Sequence, residues 1–308
     1  MVKCTSCGVR EAFYLRAYSG EKLCTKCFIE SIEVKVRATI AKYKMLMFND
    51  RIAVAVSGGK DSVSLLHILA RIERDFPRAS LYAITVDEGI EGYRDEAIRI
   101  ASENCRALGV EHHVISFKDL YGYTLDEIVR RVRASGSRLT PCSYCGVLRR
   151  KALNILARKV NATKIALANN LDDEVQTFII NIVHGDPPRI SRSGPAFNEE
   201  IEGLVPRVKP LCEILEREVA LYAYLKGIKF QENPCPYASE ALRNDIRNML
   251  NRLEEKHPGT KYTIFRSAER IRERLKEARP EVKLRQCSIC GETTVGEICQ
   301  ACRLLQSL

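Results

Sequence analysis

Long apolar runs are absent from this 308-residue chain, and none approaches the ~18–20 residues that cross a bilayer. This absence excludes a transmembrane helix. The first residues, MVKCTSCG, also lack the apolar stretch of a signal peptide, so we expect a cytoplasmic protein. Tryptophan is missing altogether. The apolar fraction of 45% is nevertheless ordinary for a globular protein and argues against disorder.

Acidic residues are in the minority, because 39 Asp and Glu face 49 Lys and Arg and leave a net charge of +10. This excess favours a polyanionic partner, with nucleic acid as the leading candidate. At roughly 100–200 residues per domain, the length predicts about two domains with small appendages.

Thirteen cysteines are present, and in a reducing compartment they predict metal ligands or reactive thiols instead of a disulfide framework. Eight of them form two sets of paired C-x-x-C motifs, one near each end of the chain. The pairs are separated by 16 residues in the first set and by 8 in the second. Both patterns predict closed, structural zinc sites. The expected ligands are Cys4, Cys7, Cys24 and Cys27 at one site, and Cys287, Cys290, Cys299 and Cys302 at the other.

Five cysteines lie outside these motifs. Cys105 and Cys212 occupy apolar surroundings and are expected to be buried packing residues. Cys142 and Cys145 form a third C-x-x-C, which we place just before a helix, and Cys235 lies between two prolines. These last three predict either a three-ligand iron–sulfur cluster or a group of redox-active thiols.

No acid occurs between residues 128 and 171, although this stretch carries ten basic residues. A solvated face normally mixes both signs, so one-sided charge beside the third cysteine pair favours an anionic substrate. The same charge is expected to lower the pKa of the nearby thiols. The basic residues are Arg130, Arg131, Arg133, Arg138, Arg149, Arg150, Lys151, Arg158, Lys159 and Lys164.

Buried strands alternate with helices through the middle of the chain. The alternation predicts an α/β fold with a parallel sheet, whose ligands bind at the carboxyl ends of the strands. Strands are expected at 51–56, 81–86, 111–117 and 164–168. Helices are expected at 32–48, 94–108 and 148–160.

The chain after Pro210 is predicted to form a smaller helical region. The basic surface of this region fits RNA contact and a solvated helical face equally well. A segment at 185–196 is expected to form a mobile loop over the site. The helices are expected at 213–226, 241–256 and 263–278.

A glycine-containing loop, SGGKDS at 57–62, joins the first predicted strand to the next helix. Its glycines let backbone N–H groups approach phosphate oxygens, and the helix N-terminus adds positive potential. Lys60 is expected to neutralise phosphate charge, and Asp61 to position Mg²⁺. The spacing is not that of Walker A. Segments 87–90 and 169–174 also follow predicted strands, so three segments are expected at one rim of the sheet.

The loop matches the SGGxDS signature of the PP-loop ATP pyrophosphatases, which adenylate a carbonyl oxygen and release pyrophosphate. With Cys142, Cys145, Cys235, the NLDDE motif at 170–174 and both zinc motifs, the chain resembles the TtuA/NcsA group of PP-loop tRNA 2-thiouridine synthetases. The resemblance covers nearly the whole chain. It implies an α/β, parallel-sheet PP-loop core of the adenine nucleotide alpha hydrolase type, with a zinc module at each end and a small helical C-terminal region.

The resemblance implies a tRNA-uridine 2-sulfurtransferase. Such enzymes bind ATP and Mg²⁺, adenylate the C2 oxygen of a tRNA uridine, and replace that oxygen with sulfur as AMP leaves. Many hold a [4Fe–4S] cluster on three cysteines, here Cys142, Cys145 and Cys235. The sulfur donor is a ubiquitin-like carrier protein or sulfide, and homodimers are common. Wobble position 34 is slightly favoured over position 54.

Roles for rim residues follow from the same resemblance. Lys60 and Asp173 join the three cysteines as catalytic residues. Asn169 departs from the family pattern, which usually has histidine there, and Arg149 stands where lysine is frequent. Because arginine does not donate protons near neutral pH, Arg149 is assigned charge stabilisation only. Nucleotide contacts are expected from Ala55, Ser57, Gly58, Gly59, Lys60, Asp61, Ser62, Asp87, Gly89, Asn170 and Asp172.

The chain is therefore divided into an N-terminal zinc module (1–30), a catalytic domain (31–210), a helical region that contacts tRNA (211–285) and a C-terminal zinc ribbon (286–308). Three other interpretations stay open. In one, the three cysteines form persulfides without iron. In another, the protein is a PP-loop ligase that does not need the Cys142 pair. In the last, it is a non-catalytic, zinc-containing RNA-binding protein, which leaves the loop at 57–62 unexplained.

Overall fold

The computed structural model describes residues 2–136, 139–197, 201–238, 242–277 and 284–308. Arg138 of the basic stretch and the first residue of the helix expected at 241–256 lie outside the described residues. The strands are β1 (Tyr14–Arg16), β2 (Glu21–Leu23), β3 (Arg51–Ala55), β4 (Ser80–Asp87), β5 (Glu111–Ser116), β6 (Lys164–Ala166), β7 (Ala196–Phe197), β8 (Arg207–Val208), β9 (Arg285–Gln286) and β10 (Thr293–Thr294). The helices are α1 (Thr25–Lys42), α2 (Lys60–Glu73), α3 (Arg94–Leu108), α4 (Phe117–Tyr121), α5 (Leu125–Ala134), α6 (Pro141–Lys159), α7 (Leu171–Val183), α8 (Pro187–Arg192), α9 (Glu216–Leu225), α10 (Arg243–Lys256), α11 (Thr260–Glu277) and α12 (Gln300–Gln306).

Six strands form the central sheet in the order β5-β4-β3-β6-β8-β7. The first five of these are parallel, and β7 pairs with β8 in the antiparallel direction. The chain moves outward from β3 to β5 and then returns to β6 on the other side of β3, so the strand order reverses between β3 and β6. Ligands of open α/β sheets bind outside the carboxyl ends of the strands at such a reversal. The predicted parallel α/β fold is confirmed, and the loop at 57–62 lies at the reversal.

Helices cover both faces of the sheet, and β3 shows why its sequence is apolar without interruption. Ile52 and Val54 belong to a core that also contains residues of α1, α2 and α9. Ala53 points to the opposite face and joins a core built with α5 and α6. All three side chains are fully buried. A strand buried on both faces loses the polar alternation of a half-exposed strand.

The structure corrects several predicted elements. Helix α1 begins at Thr25, not at residue 32, because the second knuckle of the first cysteine motif forms its first turn. Helix α6 begins at Pro141, so the cysteine pair is part of this helix instead of preceding it. Proline is favoured in the first turn because the N–H it lacks has no partner there. Segment 185–196, expected as a loop, contains α8, whose Ile190 packs with Phe178 of α7 and Ala268 of α11.

The terminal cysteine modules are attached to the body through different helices. In the N-terminal module, Nε of Arg16 lies 2.7 Å from Oε1 of Glu218 in α9, and both side chains are buried. In the C-terminal module, the cysteines share a core with α6. Within the described residues, no helix combines the length and apolarity needed to cross a bilayer.

Candidate active site

The loop at 57–62, called the phosphate loop below, is held by its own hydrogen bonds. The backbone N–H of Ser57 donates to Oγ of Ser62 over 3.0 Å, and that hydroxyl donates to the carbonyl oxygen of Gly59 over 2.9 Å. Gly59 is the N-cap of α2 and offers no side-chain oxygen to the helix. The first-turn N–H groups are therefore available to an anion, as a phosphate site requires.

Two glycines at the rim are required by close packing. Gly58 has φ +89°, and a Cβ there would lie 2.4 Å from the carbonyl oxygen of Ala97 in α3. Gly89 has φ +67°, and a Cβ there would lie 2.6 Å from Cγ2 of Thr124. A larger residue at either position would displace the rim as well as strain the backbone.

Lys60 lies between two carboxylates. Its Nζ is 2.9 Å from Oδ2 of Asp61 and 2.8 Å from Oε1 of Glu216. Burial by itself lowers the pKa of Lys60, but the two carboxylates outweigh burial and raise it, so the lysine is charged. Nδ2 of Asn170 donates to Oδ1 of Asp61 over 3.2 Å, which connects the phosphate loop to the third rim segment. Glu216, at the start of α9, was not predicted as a site residue.

Asp173 and Asn170 form a capping box at the start of α7. The backbone N–H of Asp173 donates to Oδ1 of Asn170 over 3.0 Å, and Oδ2 of Asp173 accepts the N–H of Asn170 over 3.2 Å. Oδ1 of Asp173 lies 3.8 Å from Arg243 of α10. Burial raises the pKa of Asp173 to about 6, and Arg243 opposes that rise in part. A carboxyl with such a pKa can exchange a proton near neutral pH.

Asp172 has protein partners that the sequence did not reveal. It is 3% exposed. One carboxylate oxygen pairs with the buried Lys261 of α11, and the other accepts the N–H of Glu216 over 2.8 Å. Asp87 likewise accepts the N–H of Gly89 over 2.8 Å. Neither aspartate lines the cavity described below, whereas Ala55, Ser57 and Asp61 do. Roles of Asp172 and Asp87 in nucleotide contact stay predictions.

The three cysteines predicted to work together come from segments that are distant in sequence. Cys142 and Cys145 lie in the first turns of α6, and Sγ of Cys142 is 3.8 Å from the carbonyl oxygen of Tyr237, two residues beyond Cys235. The segment that carries Cys235 is also tied to the phosphate loop, because the N–H of Gln231 donates to the carbonyl oxygen of Gly58 over 2.9 Å. The segment that carries Cys235 therefore contacts both Cys142 and the phosphate loop.

Burial governs the acidity of two of these thiols, those of Cys145 and Cys235. It raises the pKa of Cys145 to about 11, and the positive charge of Arg149 opposes the rise only in part. It also raises the pKa of Cys235. The positive charge of Arg149 does act to lower the pKa of both thiols, as the sequence predicted, but burial outweighs this effect. Uncoordinated Cys145 is a neutral thiol at pH 7, and a metal would shift it to the thiolate. Three sulfur donors beside a cation suit an anionic iron–sulfur cluster.

A buried salt-bridge group that was not predicted connects the two halves of the site. Glu88 lies 2.8 Å from Nε of Arg94 and 3.4 Å from NH1 of Arg149. Arg94 donates to the carbonyl oxygen of Ser57 over 3.0 Å and to that of Val86 over 2.7 Å. Glu88 therefore joins the arginine beneath the phosphate loop to the arginine beside the cysteines.

A cavity of about 850 Å³ opens at the strand reversal. It runs from Ser57 and Asp61 to Gly146, the residue after Cys145, and onward between α6 and β8. Its volume is within the range of pockets that bind small molecules. Several walls are cationic, and the arginines at this surface are Arg94, Arg149, Arg150, Arg192, Arg207 and Arg243.

Each terminal cysteine set is suited to a metal ion. The four Sγ atoms of Cys4, Cys7, Cys24 and Cys27 lie within 4.8 Å of one another, and the same holds for Cys287, Cys290, Cys299 and Cys302. All thirteen cysteines are free, and Cys105 and Cys212 are buried as expected. Four thiol donors in a compact group fit tetrahedral zinc.

The sheet order, the phosphate loop at the reversal and the rim carboxylates define a PP-loop ATP-binding domain. The family model described as a PP-loop domain matches residues 30–254, which is more than half of the chain.

Relatives and a solved structure match over nearly the full length. The chain is 37% identical to the tRNA 2-thiolation protein NcsA of Haloferax volcanii, across 100% of this chain and 99% of that protein. It is 34% identical to the tRNA-5-methyluridine(54) 2-sulfurtransferase of Pyrococcus horikoshii, across 98% and 93%. The U34-tRNA thiolase NcsA from Methanococcus maripaludis, solved with its [4Fe-4S] cluster, superimposes with a TM-score of 0.86 at 36% identity, across 100% and 97%. The chain belongs to the TtuA/NcsA group of PP-loop tRNA sulfurtransferases, as the sequence motifs predicted.

Proposed function

We propose that this protein replaces the C2 oxygen of a tRNA uridine with sulfur, using ATP. The observation that supports the proposal is the hydrogen bond from Gln231 to Gly58, which links the segment that carries Cys235 to the phosphate loop. ATP activation and sulfur delivery then act on one base in one cavity. A base that is stacked or paired must be extruded to enter it.

ATP supplies a leaving group that the uridine lacks. The C2 carbonyl is a poor electrophile. Transfer of AMP from ATP to its oxygen forms an O–P bond and releases pyrophosphate. When sulfur attacks C2, the C2–O bond breaks and the oxygen leaves as part of AMP. The phosphate loop N–H groups and Lys60 stabilise the negative charge on the transferring phosphates. Asp61 would hold Mg²⁺ against these phosphates, because Mg²⁺ prefers carboxylate and phosphate oxygens. The amide of Asn170 donates to the Asp61 carboxylate and orients it. Asp173 is the proposed acid–base group.

Cys142, Cys145 and Cys235 would hold the [4Fe–4S] cluster. With three protein ligands, such a cluster retains one iron to which sulfur can bind. Arg149 balances the negative charge of the coordinated thiolates.

Other parts of the proposal rest on relatives. Wobble position 34 is preferred, because the relative solved as a U34-tRNA thiolase matches all of this chain. Position 54 is the alternative, because a 54-specific relative is nearly as similar. The proposal also includes zinc in both terminal sites and a sulfur carrier protein or sulfide as the sulfur donor. It further includes a homodimer, a cytoplasmic location and the four-part division of the chain.

Anaerobic purification and turnover test it. We expect about four iron per chain in addition to zinc, and AMP formation that depends on tRNA. Cys142→Ala should lose iron and thiolation but keep zinc. Cys105 is buried outside the site, so Cys105→Ala should keep iron, zinc and thiolation. Thiolation without iron would establish the persulfide alternative. If Cys142→Ala keeps the full tRNA-dependent activity, the protein is another PP-loop ligase, because such an enzyme does not need this cysteine.

The target position needs a separate measurement. Mass spectrometry of tRNA nucleosides from a deletion strain, mapped by position, should show loss of 2-thiouridine at position 34. Loss at position 54 would select the alternative target. Normal 2-thiouridine at both positions would overturn the proposal.

A further inference from the structure

The cavity contains a pair of arginines that neither the motifs nor the relatives' names explain. Arg207 begins β8, and its guanidinium donates to the backbone carbonyl oxygen of Arg150 in α6 over 3.1 Å. Both side chains line the cavity, and a Cβ on Gly146, the residue after Cys145, would lie 3.4 Å from Nη1 of Arg150. A strand and a helix, instead of flexible loops, position the two residues.

These two cations have no carboxylate partner among the described residues, unlike Arg94, Arg149, Arg243 and Lys209 of the same cavity. Arg94 and Arg149 face Glu88, Arg243 faces Asp173, and Lys209 lies 2.6 Å from Glu174. No described carboxylate lies within ion-pair distance of Arg150 or Arg207. Burial and then the charge of Arg150 lower the pKa of Arg207 to about 10. Like charges held together without a counter-ion indicate a position for an external anion.

The surface next to the pair is apolar. Leu153, Leu204 and Val205 line the cavity there, and Phe197 adds an aromatic ring. Such a combination suits a ligand with a flat base and a phosphate. It does not suit the ATP phosphates, because the phosphate loop and Lys60 already provide their site.

We propose that Arg150 and Arg207 bind the phosphodiester group beside the target uridine, while the uracil ring lies against the apolar wall. The proposal rests on the proposed function, since it takes RNA as the substrate. Guanidinium groups recognise phosphate oxygens through paired hydrogen bonds, so the two arginines fix the register of the strand. The uridine is thereby positioned between the cysteine trio and the nucleotide.

The test uses the full protein and a short single-stranded RNA that carries the target uridine. Arg150→Met and Arg207→Met should each reduce the slope of log affinity against log salt by about 0.7, the value for one lost phosphate contact with a single strand. ATP affinity should stay within about twofold, because the phosphate loop is intact. Arg78→Met, which removes the same charge from the turn before β4, on the other side of β3 from β8, should leave the slope unchanged.

A neutral methylphosphonate in place of one phosphate locates the contact. For the wild-type protein, replacing the phosphate beside the target uridine should weaken binding about as much as Arg150→Met does. For the Arg150→Met variant, the same phosphate replacement should not weaken RNA binding any further. Equal losses at every phosphate position would overturn the proposal. So would unchanged RNA binding with slower use of the sulfur donor, because the anion at the pair would then be the donor's carboxylate.

These binding measurements separate the two proposals. Absence of AMP formation by the wild-type protein would contradict the proposed function while the RNA slopes stay interpretable. Normal thiolation with unaltered slopes in both variants would contradict only the arginine site.

Discussion

Nζ of Lys151 lies 3.1 Å from Sγ of Cys290, although 139 residues separate them. Lys151 lies on α6, the helix whose first turns carry Cys142 and Cys145. The same helix therefore bears the cysteine pair at one end and contacts the C-terminal cysteine module along its length. Lys151 places positive charge next to a group of thiols that becomes anionic when it binds zinc.

The two cysteine modules should respond separately to loss of their cationic neighbours. Lys151→Met should weaken zinc binding at the C-terminal site about 10–100-fold, the usual effect of losing an outer-shell contact. Arg10, whose NH1 lies 3.5 Å from Sγ of Cys24, provides the matched variant for the N-terminal site. Arg10→Met should weaken only that site. Chelator competition with zinc quantification measures both, and identical release curves for the two variants would contradict the assignment.

Gly58→Ala should disrupt the phosphate loop more than backbone strain alone would. An alanine in this left-handed conformation costs about 1–2 kcal/mol, and the contact with Ala97 must also move the loop. We expect AMP formation to fall roughly 10²-fold, the loss associated with ångström-scale misplacement. Gly109→Ala is the control, because Gly109 has φ +68° but no atom near its Cβ position. Equal losses in the two variants would show that backbone strain alone is responsible.

Lys261→Met should destabilise the protein without a specific effect on ATP. It leaves the buried carboxylate of Asp172 unpaired, which typically costs ~3–5 kcal/mol. Lys256→Met, at an exposed position on α10, should change stability by less than about 0.5 kcal/mol. Urea unfolding of the apo protein measures both. If Asp172→Asn instead weakens ATP binding at unchanged stability, Asp172 is a nucleotide ligand as the sequence suggested.

The pH dependence of thiolation should follow Asp173. Burial raises its pKa to about 6, so the carboxylate forms as the pH rises through that value and the rate should rise with it. Arg243→Met removes the opposing positive charge and should move the rising limb to higher pH. Asp173→Asn should abolish the limb. An unchanged profile in Arg243→Met would assign the titration to another group.

Stability should change in the opposite direction through the same titration. Because the pKa of Asp173 is raised in the folded protein, the folded state binds the proton more tightly than the unfolded chain does. The contribution of Asp173 to stability therefore falls as the pH rises from about 4 to about 6. Asp173→Asn should remove this part of the pH dependence, which unfolding curves across that range can measure.

Elements with strong local signals were predicted closely. The uninterrupted apolar run at β3 and the loop that follows it were located within one residue, because burial on both faces and the loop chemistry are encoded locally. Strands β7 and β8 were not predicted, since two residues carry no periodicity. The start of α6 was placed too late, although Pro141 at the first helical position was a usable signal.

The basic stretch shows a different limit of sequence reasoning. The stretch does carry an excess of positive charge, but its basic residues contact different partners. Lys151 and Arg158 contact the C-terminal cysteine module, whereas Arg149 and Arg150 line the cavity. Which face of a helix meets a distant segment depends on packing, and residue spacing along α6 does not reveal it. Glu216 was missed for the same reason, because its partner Lys60 lies far away in the sequence. The contacts of Glu88 with Arg149 and of Arg94 with Ser57 also join distant segments.

The amino-acid sequence by itself determined the absence of a membrane-spanning run, the α/β alternation, the phosphate loop and the grouping of thirteen cysteines into two sets of four, a trio and two packing residues. These features depend on local backbone chemistry, apolar periodicity and ligand spacing. Only the tertiary structure decided that the segment carrying Cys235 contacts both Cys142 and Gly58. It also decided that Arg150 and Arg207 line one cavity without a carboxylate partner among the described residues. Such relationships arise where the sheet order reverses, since distant segments meet there.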